Sequence, residues 1–439
     1  MRATISIPLG GLLLLWPALY NGWPLVFTDT GAFLFAALER WPQWDKPIAY
    51  AGFLHALSWR VSYWGAALAQ CLIVSWLAWL LARGFAVGHL HWALMLGLAA
   101  LTAAPWFASQ LMPDFLASVL VLAVVLLGLD GRAGAPRLAA AERWVLSALV
   151  VLAAASHLSH LALLLGLLAC VPLVRLACRL RPWHRGLVPV GVATAATFAL
   201  LVASNAAMWG QAVVSPYGAV FPLARLLASG PAQQWLAAHC PDPAISLCAQ
   251  QGRFDPDSDR ILWLEDSPLW AEGDHTVMTP QARRIVAGTL REFPGAVAAQ
   301  ALRDALAQAG MVWIGDALTS QHLEQNVLNN IERHLPHEAA AFRASRQFTD
   351  RLGIIDALNP VIIGTVLLAI VVLAWRLREK HLVAATLLVL LALAGNALIC
   401  GATSKPNARY QARIAWLLPL MAGVALALPR PTPAAISPR

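Results

Sequence analysis

A carboxylate, two spaced arginines and a histidine pair stand where apolar stretches of this chain end. Together they have the residue types of a site that moves a proton and holds a phosphate. Asp29 lies in Phe27-Thr28-Asp29-Thr30-Gly31-Ala32-Phe33, directly after the first apolar stretch. A carboxylate at the mouth of an apolar bundle is costly unless water, a partner or a substrate meets it. In a partly dry setting it gains basicity and can take a proton from a hydroxyl or amine. Its competing role is a helix N-cap. Arg409 and Arg413 close Thr403-Ser404-Lys405-Pro406-Asn407-Ala408-Arg409-Tyr410-Gln411-Ala412-Arg413. Four apart, they project from one helical face, and paired guanidinium groups suit phosphate oxygens. Their competing role is snorkelling to lipid headgroups.

The other candidates carry two readings each. Lys46, in Asp45-Lys46-Pro47, either meets a phosphate or forms an ion pair ahead of a helix-starting proline. Asp114, after Met112-Pro113, is a helix-dipole partner or an acceptor for a sugar hydroxyl. His157 and His160 are three apart and share a helical face. Phosphate or sugar contact, metal binding and structural hydrogen bonding are all open to them, and a divalent metal is not required. Of six cysteines, Cys240 and Cys248 lie in the one long polar segment, where a disulfide forms if that segment faces an oxidising compartment. No Walker loop, strand-borne GxGxxG, GxSxG, HExxH or CxxC occurs, so ATP- or NAD-driven chemistry has no support.

The elements that must position these residues are membrane spans. Of 439 residues 59% are hydrophobic and 12% charged, with mean hydropathy +0.63; a soluble domain carries about twice that charge fraction. The expected fold is an all-α polytopic membrane protein with about ten transmembrane helices, interfacial helices and one helical extracytoplasmic domain. The spans are read at 5–27, 64–83, 89–108, 113–130, 144–157, 159–176, 187–208, 356–376, 381–400 and 411–428, with a tight turn at His157. Arg83, Arg132, Arg137, Arg143, Arg175, Arg179, Arg181, Arg185, Arg376, Arg378, Lys380 and Arg430 fall in alternate short loops. That bias puts those loops and both termini in the cytoplasm. The net charge of +8 then needs no nucleic acid to explain it.

The chain divides into a transmembrane module, 1–208, whose first outer loop, 28–63, reads as amphipathic helices at the interface. An extracytoplasmic soluble domain follows at 209–355, then the last transmembrane helices at 356–428 and a disordered cytoplasmic tail at 429–439. The stretch 280–310 has helical periodicity, and Asp255, Asp257, Asp259, Glu265 and Asp266 form an acidic patch before it. This topology brings Asp29, Asp45, Lys46, His55, Asp114, His157, His160, Lys405, Arg409 and Arg413 to one membrane surface from five segments.

With those residues in hand, residues 1–210 resemble the GT-C superfamily of membrane glycosyltransferases. The motifs are Thr28-Asp29-Thr30-Gly31-Ala32-Phe33-Leu34, Asp45-Lys46-Pro47-Ile48-Ala49-Tyr50 and Leu111-Met112-Pro113-Asp114-Phe115-Leu116-Ala117. Many members carry two adjacent acids; here Thr30 follows Asp29. The resemblance implies a polyprenyl-phosphate-sugar donor, a glycan, lipid or protein acceptor, and a bacterial inner-membrane location. Asp29 would deprotonate the acceptor, and Arg409 and Arg413, with Lys46 or His157, would neutralise the departing lipid phosphate. Other readings are a lipid-linked glycan polymerase or ligase, a lipid or glycan transporter, and a scaffold.

Overall fold

The computed structural model describes residues 3–131, 136–182 and 186–429. Arg132, Arg185, Arg430 and the tail from 430 onward, all named above, lie outside the described residues. Among the described residues every regular element is a helix, and only isolated bridges such as Leu25 with Gln110 break the pattern. Among the described residues seven helical stretches, Ala3–Asn21 and Ala408–Ala427 each counted as one, are long and apolar enough to cross a membrane. This is the architecture of a helical polytopic membrane protein.

The first span is shorter than expected. It consists of α1 (Ala3–Leu14) and α2 (Trp16–Asn21), with Pro17 in the first turn of α2 and Gly22 closing it at φ 87°. Asp29 therefore follows an irregular loop rather than the span itself. The interfacial stretch forms two short helices, α3 (Thr30–Glu39) and α4 (Ala49–Ser58), ahead of α5 (Trp64–Gly84). The stretch expected as one span at 89–108 divides into α6 (His91–Leu101) and α7 (Ala104–Ala108), with Pro105 starting the second. α8 (Phe115–Leu129) has only 15 residues, but all except Leu129 are buried. A helix enclosed by protein needs no match to the hydrocarbon thickness. α9 (Ala140–Ser156) and α10 (Leu158–Ala177) meet at one extended residue, His157 (φ −157°, ψ 133°).

α11 (Leu187–Trp209) leads into the long polar segment, which divides in two. α12 (Val220–Ser229), α13 (Pro231–His239), α14 (Ser258–Trp263) and α15 (His275–Glu292) enclose a separate core around Leu223, Trp235, Ile261 and Ile285. Pro294 then opens α16 (Pro294–Ala309), which packs along a later span. The remainder, with α17 (Asn329–His334) and α18 (Pro336–Ala344), contributes Leu323, Val327, Ile331 and Phe342 to the core of the bundle. Within 209–355 a lobe, 220–297, surrounds a core of its own, and a strap, 323–348, packs into the larger core. Hydrophobic periodicity marks both as helical but does not say which apolar face each one meets.

The chain ends with α19 (Ile354–Arg376), α20 (Lys380–Thr403), α21 (Ala408–Ala415) and α22 (Leu417–Ala427). The basic ends of the helices are tied down. Arg83 makes a two-point pair with Glu142 at 2.8 and 2.6 Å, and Arg376 donates to the carbonyls of Ala425 and Leu426 at the end of α22. Cations there complement the negative helix terminus.

Candidate functional site

The site is built at the opposite end from Arg83, where the loop before α3 lies against the loop before α8. Leu25 N–H donates to Ser109 O and Leu111 N–H to Leu25 O, at 3.3 and 2.8 Å. Buried amides secure the junction. Gln70 donates to Ala108 O and Gln110 O, Gln110 donates to Val26 O and Ala317 O, and Gln347 both donates to and accepts from Val26. Thr30 donates to Leu111 O and accepts from Phe27 N–H. Each buried polar group is satisfied, which makes the loop pair one rigid unit.

Asp29 stands at the rim of this unit. It precedes α3 without capping it, and its side chain is 35% exposed. Its nearest cation is Lys46, 3.9 Å away, which is also ion-paired with Asp45. Burial by itself disfavours the lysine charge, but Asp29 and Asp45 outweigh it and hold Lys46 above the ordinary lysine range. Arg409 acts on Lys46 in the opposite sense, so the two cations share the site.

Behind this rim lies a buried ion cluster. Arg413 donates to Asp114 at 3.1 Å and to Ser159 and Asn396 at 3.3 and 3.1 Å; its side chain is 1% exposed. Arg409 Nε is 3.7 Å from the same Asp114 oxygen. Its guanidinium lies over Phe27 at 4.2 Å, and Nη2 donates to Tyr410. Nε and Nη1 of Arg409 have no hydrogen-bond partner. A small cleft lined by Trp106, Phe107, Gln110 and residues 314–318 opens beside it. Asp114 is enclosed as the shared counter-ion of two arginines, so its sugar-contact role has no exposed oxygen to support it. Arg413 is likewise enclosed, whereas Arg409 keeps two buried nitrogens without a hydrogen-bond partner and Lys46 stands at the rim with its side chain 12% exposed.

His157 occupies the break between α9 and α10, and its Nδ1 faces the Ser159 hydroxyl at 2.7 Å. The charges of Arg413, Asp114, Arg409 and Asp29 all act on it, which puts it among both layers of the site. His160 is different. It is fully buried, donates from Nδ1 to Ala153 O at 3.0 Å, and its ring lies 5.2 Å from that of His157. Among the described residues no group of three or more His, Cys, Asp or Glu is arranged to hold a metal. Cys240 and Cys248 are disulfide-bonded in the lobe, apart from the site.

Sequence reasoning did not single out Thr30, Gln70, Gln110, Ser159, Gln347, Asn396 or Tyr410. Gln70 and Asn396 carried a usable signal, since uncharged amides inside apolar spans must find partners. Compared with family models, curated proteins and solved structures, the chain has no significant match.

Proposed function

We propose that this chain is an inverting membrane glycosyltransferase that takes a sugar from a polyprenyl-phosphate donor. One observation carries the reading. Asp29, a carboxylate with no cap or bidentate partner, pairs with Lys46 beside Arg409, whose buried Nη1 lacks a hydrogen-bond partner. A candidate base and two candidate phosphate-binding cations are thus coupled electrostatically within one cluster. In the reaction, Asp29 takes the proton of the acceptor hydroxyl or amine. The acceptor's lone pair forms a bond to the anomeric carbon from the face opposite the phosphate. The bond between that carbon and the phosphate oxygen breaks, its electron pair stays on the polyprenyl phosphate, and configuration inverts. Arg409 and Lys46 stabilise the charge developing on the phosphate, where fixed donors are most effective.

The same reading places the site end outside a bacterial inner membrane and the end bearing Arg83, Arg143 and Arg376 in the cytoplasm, following the positive-inside bias. The Cys240–Cys248 bond supports this, because disulfides persist in oxidising compartments. A glycan polymerase or ligase would need the phosphate grip but not Asp29.

The test is sugar transfer from a panel of radiolabelled polyprenyl-phosphate sugars in membranes, comparing wild type with Asp29→Asn. Loss of transfer in a folded Asn variant supports the reading. Transfer at the wild-type rate moves the base elsewhere, and no transfer from any donor removes the transferase reading.

A further inference from the structure

Beside the Asp29–Lys46 pair the lobe presents an aromatic surface that the reaction above does not use. Trp44, from the loop ahead of α4, is stacked on His275 at 4.9 Å and on Phe221 at 5.8 Å, with Trp270 edge-on at 6.0 Å. Trp263, at the end of α14, lies tilted against Trp44 at 6.1 Å and against Phe221 at 6.3 Å. The others are partly buried, but Trp263 is 49% exposed. The Lys46 ammonium stands 5.6 Å from the centre of its ring and 3.9 Å from Asp29. A half-exposed indole and a carboxylate therefore both approach one ammonium.

We propose that Trp263 is the stacking platform for a pyranose ring, which the substrate lays on the exposed part of the indole beside Lys46. The inference rests on the transferase reading and deepens it. A pyranose has an apolar face whose C–H hydrogens carry partial positive charge, and the face of an indole is the negative pole of its quadrupole. The hydroxyls around the sugar rim need donors and acceptors, which Lys46 and Asp29 supply near the indole. Sites for small polar ligands combine an apolar wall with a few fixed polar groups in this way. Trp44, Phe221 and Trp270 set the tilt of the platform and join it to the loop that carries Lys46. The ring belongs either to the sugar being transferred or to an acceptor glycan, and the two sources separate kinetically.

The experiment uses the full chain in lipid nanodiscs, with Trp263→Leu and Trp263→Phe beside wild type. The expected result for Trp263→Leu is a KM raised about tenfold for the substrate that carries the stacked ring, with kcat within about twofold; Trp263→Phe recovers most of the loss. A rise confined to the donor assigns the ring to the transferred sugar, and one confined to the acceptor assigns it to the acceptor glycan. Unchanged KM for both substrates overturns the platform and leaves the transferase standing, with Trp263 then a lipid-headgroup contact. Saturation-transfer NMR with a panel of methyl glycosides reads the platform without any transfer. Ring-proton saturation seen with wild type and lost in Trp263→Leu supports it, and no saturation with wild type overturns it. Absence of transfer in wild type, by contrast, removes the transferase reading alone.

Discussion

Arg409 and Arg413 look equivalent in sequence, and the structure divides their work. Arg413 donates to Asp114, Ser159 and Asn396 and leaves only Nε unbonded, whereas Arg409 leaves both Nε and Nη1 unbonded. Loss of Arg413 removes its hydrogen bonds to Asp114, Ser159 and Asn396 and leaves Asp114 with only Arg409 at 3.7 Å, at a cost of about 1.5–3 kcal/mol. Arg413→Met is therefore expected to lower stability by that order, read as a shift in thermal unfolding in nanodiscs. Arg409→Met leaves Arg413 on Asp114 and is expected to unfold nearer the wild-type temperature while transfer falls about 10²–10³-fold. Equal losses of stability in the two would refute the division. Asp29→Asn is expected to reduce transfer by about 10²–10⁴, the range for a general base, with unfolding unchanged because Asp29 is 35% exposed and caps nothing. Lys46 sets a pH expectation. Its pKa is raised above 10.5, so its charge is fully present below that value and is lost only as pH rises through the higher folded pKa. Transfer should then show no alkaline limb from Lys46 up to about pH 10, and an early limb that moves in Lys46→Arg would contradict this.

At the scale of elements, close approaches of backbone hold the site in register. A Cβ on Gly31 would lie 1.9 Å from the carbonyl oxygen of Asn326, so the first turn of α3 touches the Glu324–Leu328 turn directly. Asn326 also donates to Thr28, and Asn330 to the Gly31 carbonyl. Gly31→Ala must push these segments apart and should cost at least the about 1–3 kcal/mol of an overpacked core, while displacing Asp29 and slowing transfer. Gly97, with open space around it, is the control: Gly97→Ala should be neutral or stabilising by up to about 1 kcal/mol in a helix interior. Comparable destabilisation by both would remove the close-contact explanation. The same contacts show what the sequence could disclose. The break at His157, the two short helices after Asp29 and the convergence of Asp29, Lys46, His157 and Arg409 on one end were legible, because charge placement and apolar periodicity report them. The occlusion of Asp114 and Arg413 was not. It depends on α8 being enclosed on all sides, and an apolar run reads the same whether it faces lipid or protein. The strap from 323 to 348 was hidden for a related reason: Leu323, Val327 and Ile331 show a helical stripe but not the partner that covers it.

For the whole molecule, the question is how a lobe with its own core stays seated over a site built in the membrane module. Three attachments do this. α16 lies on α20 so closely that a Cβ on Gly401 would come within 2.9 Å of Ala305 N, Gln308 exchanges hydrogen bonds with Asn407, and Trp44 is inserted among lobe aromatics. A fourth contact is electrostatic. Lys405, between α20 and α21, meets Asp257 and Asp259 of the lobe at 2.8 and 2.9 Å. Burial opposes the charge of each partner. Even so, the hydrogen bonds from Lys405 hold Asp257 below its ordinary 3.8, and those to Asp257 and Asp259 hold Lys405 above 10.5. The depressed carboxylate contributes fully above about pH 4 and loses its contribution as pH falls through the lower folded pKa; the raised lysine contributes fully below 10.5 and loses its part as pH rises beyond the folded value. The clasp should therefore be level from about pH 4 to about pH 10. The carboxylates are more than a third exposed, so its worth is about 0.2–1 kcal/mol and falls with salt. Hydrogen exchange in the peptide 253–263, corrected for intrinsic rates, should be constant between pH 5 and 9 at fixed ionic strength, rise with added salt, and rise to the same level in Lys405→Ala at low salt. Exchange that varies across that pH range in wild type, or that ignores both salt and Lys405→Ala, would show that the lobe is held by α16 and Trp44 alone.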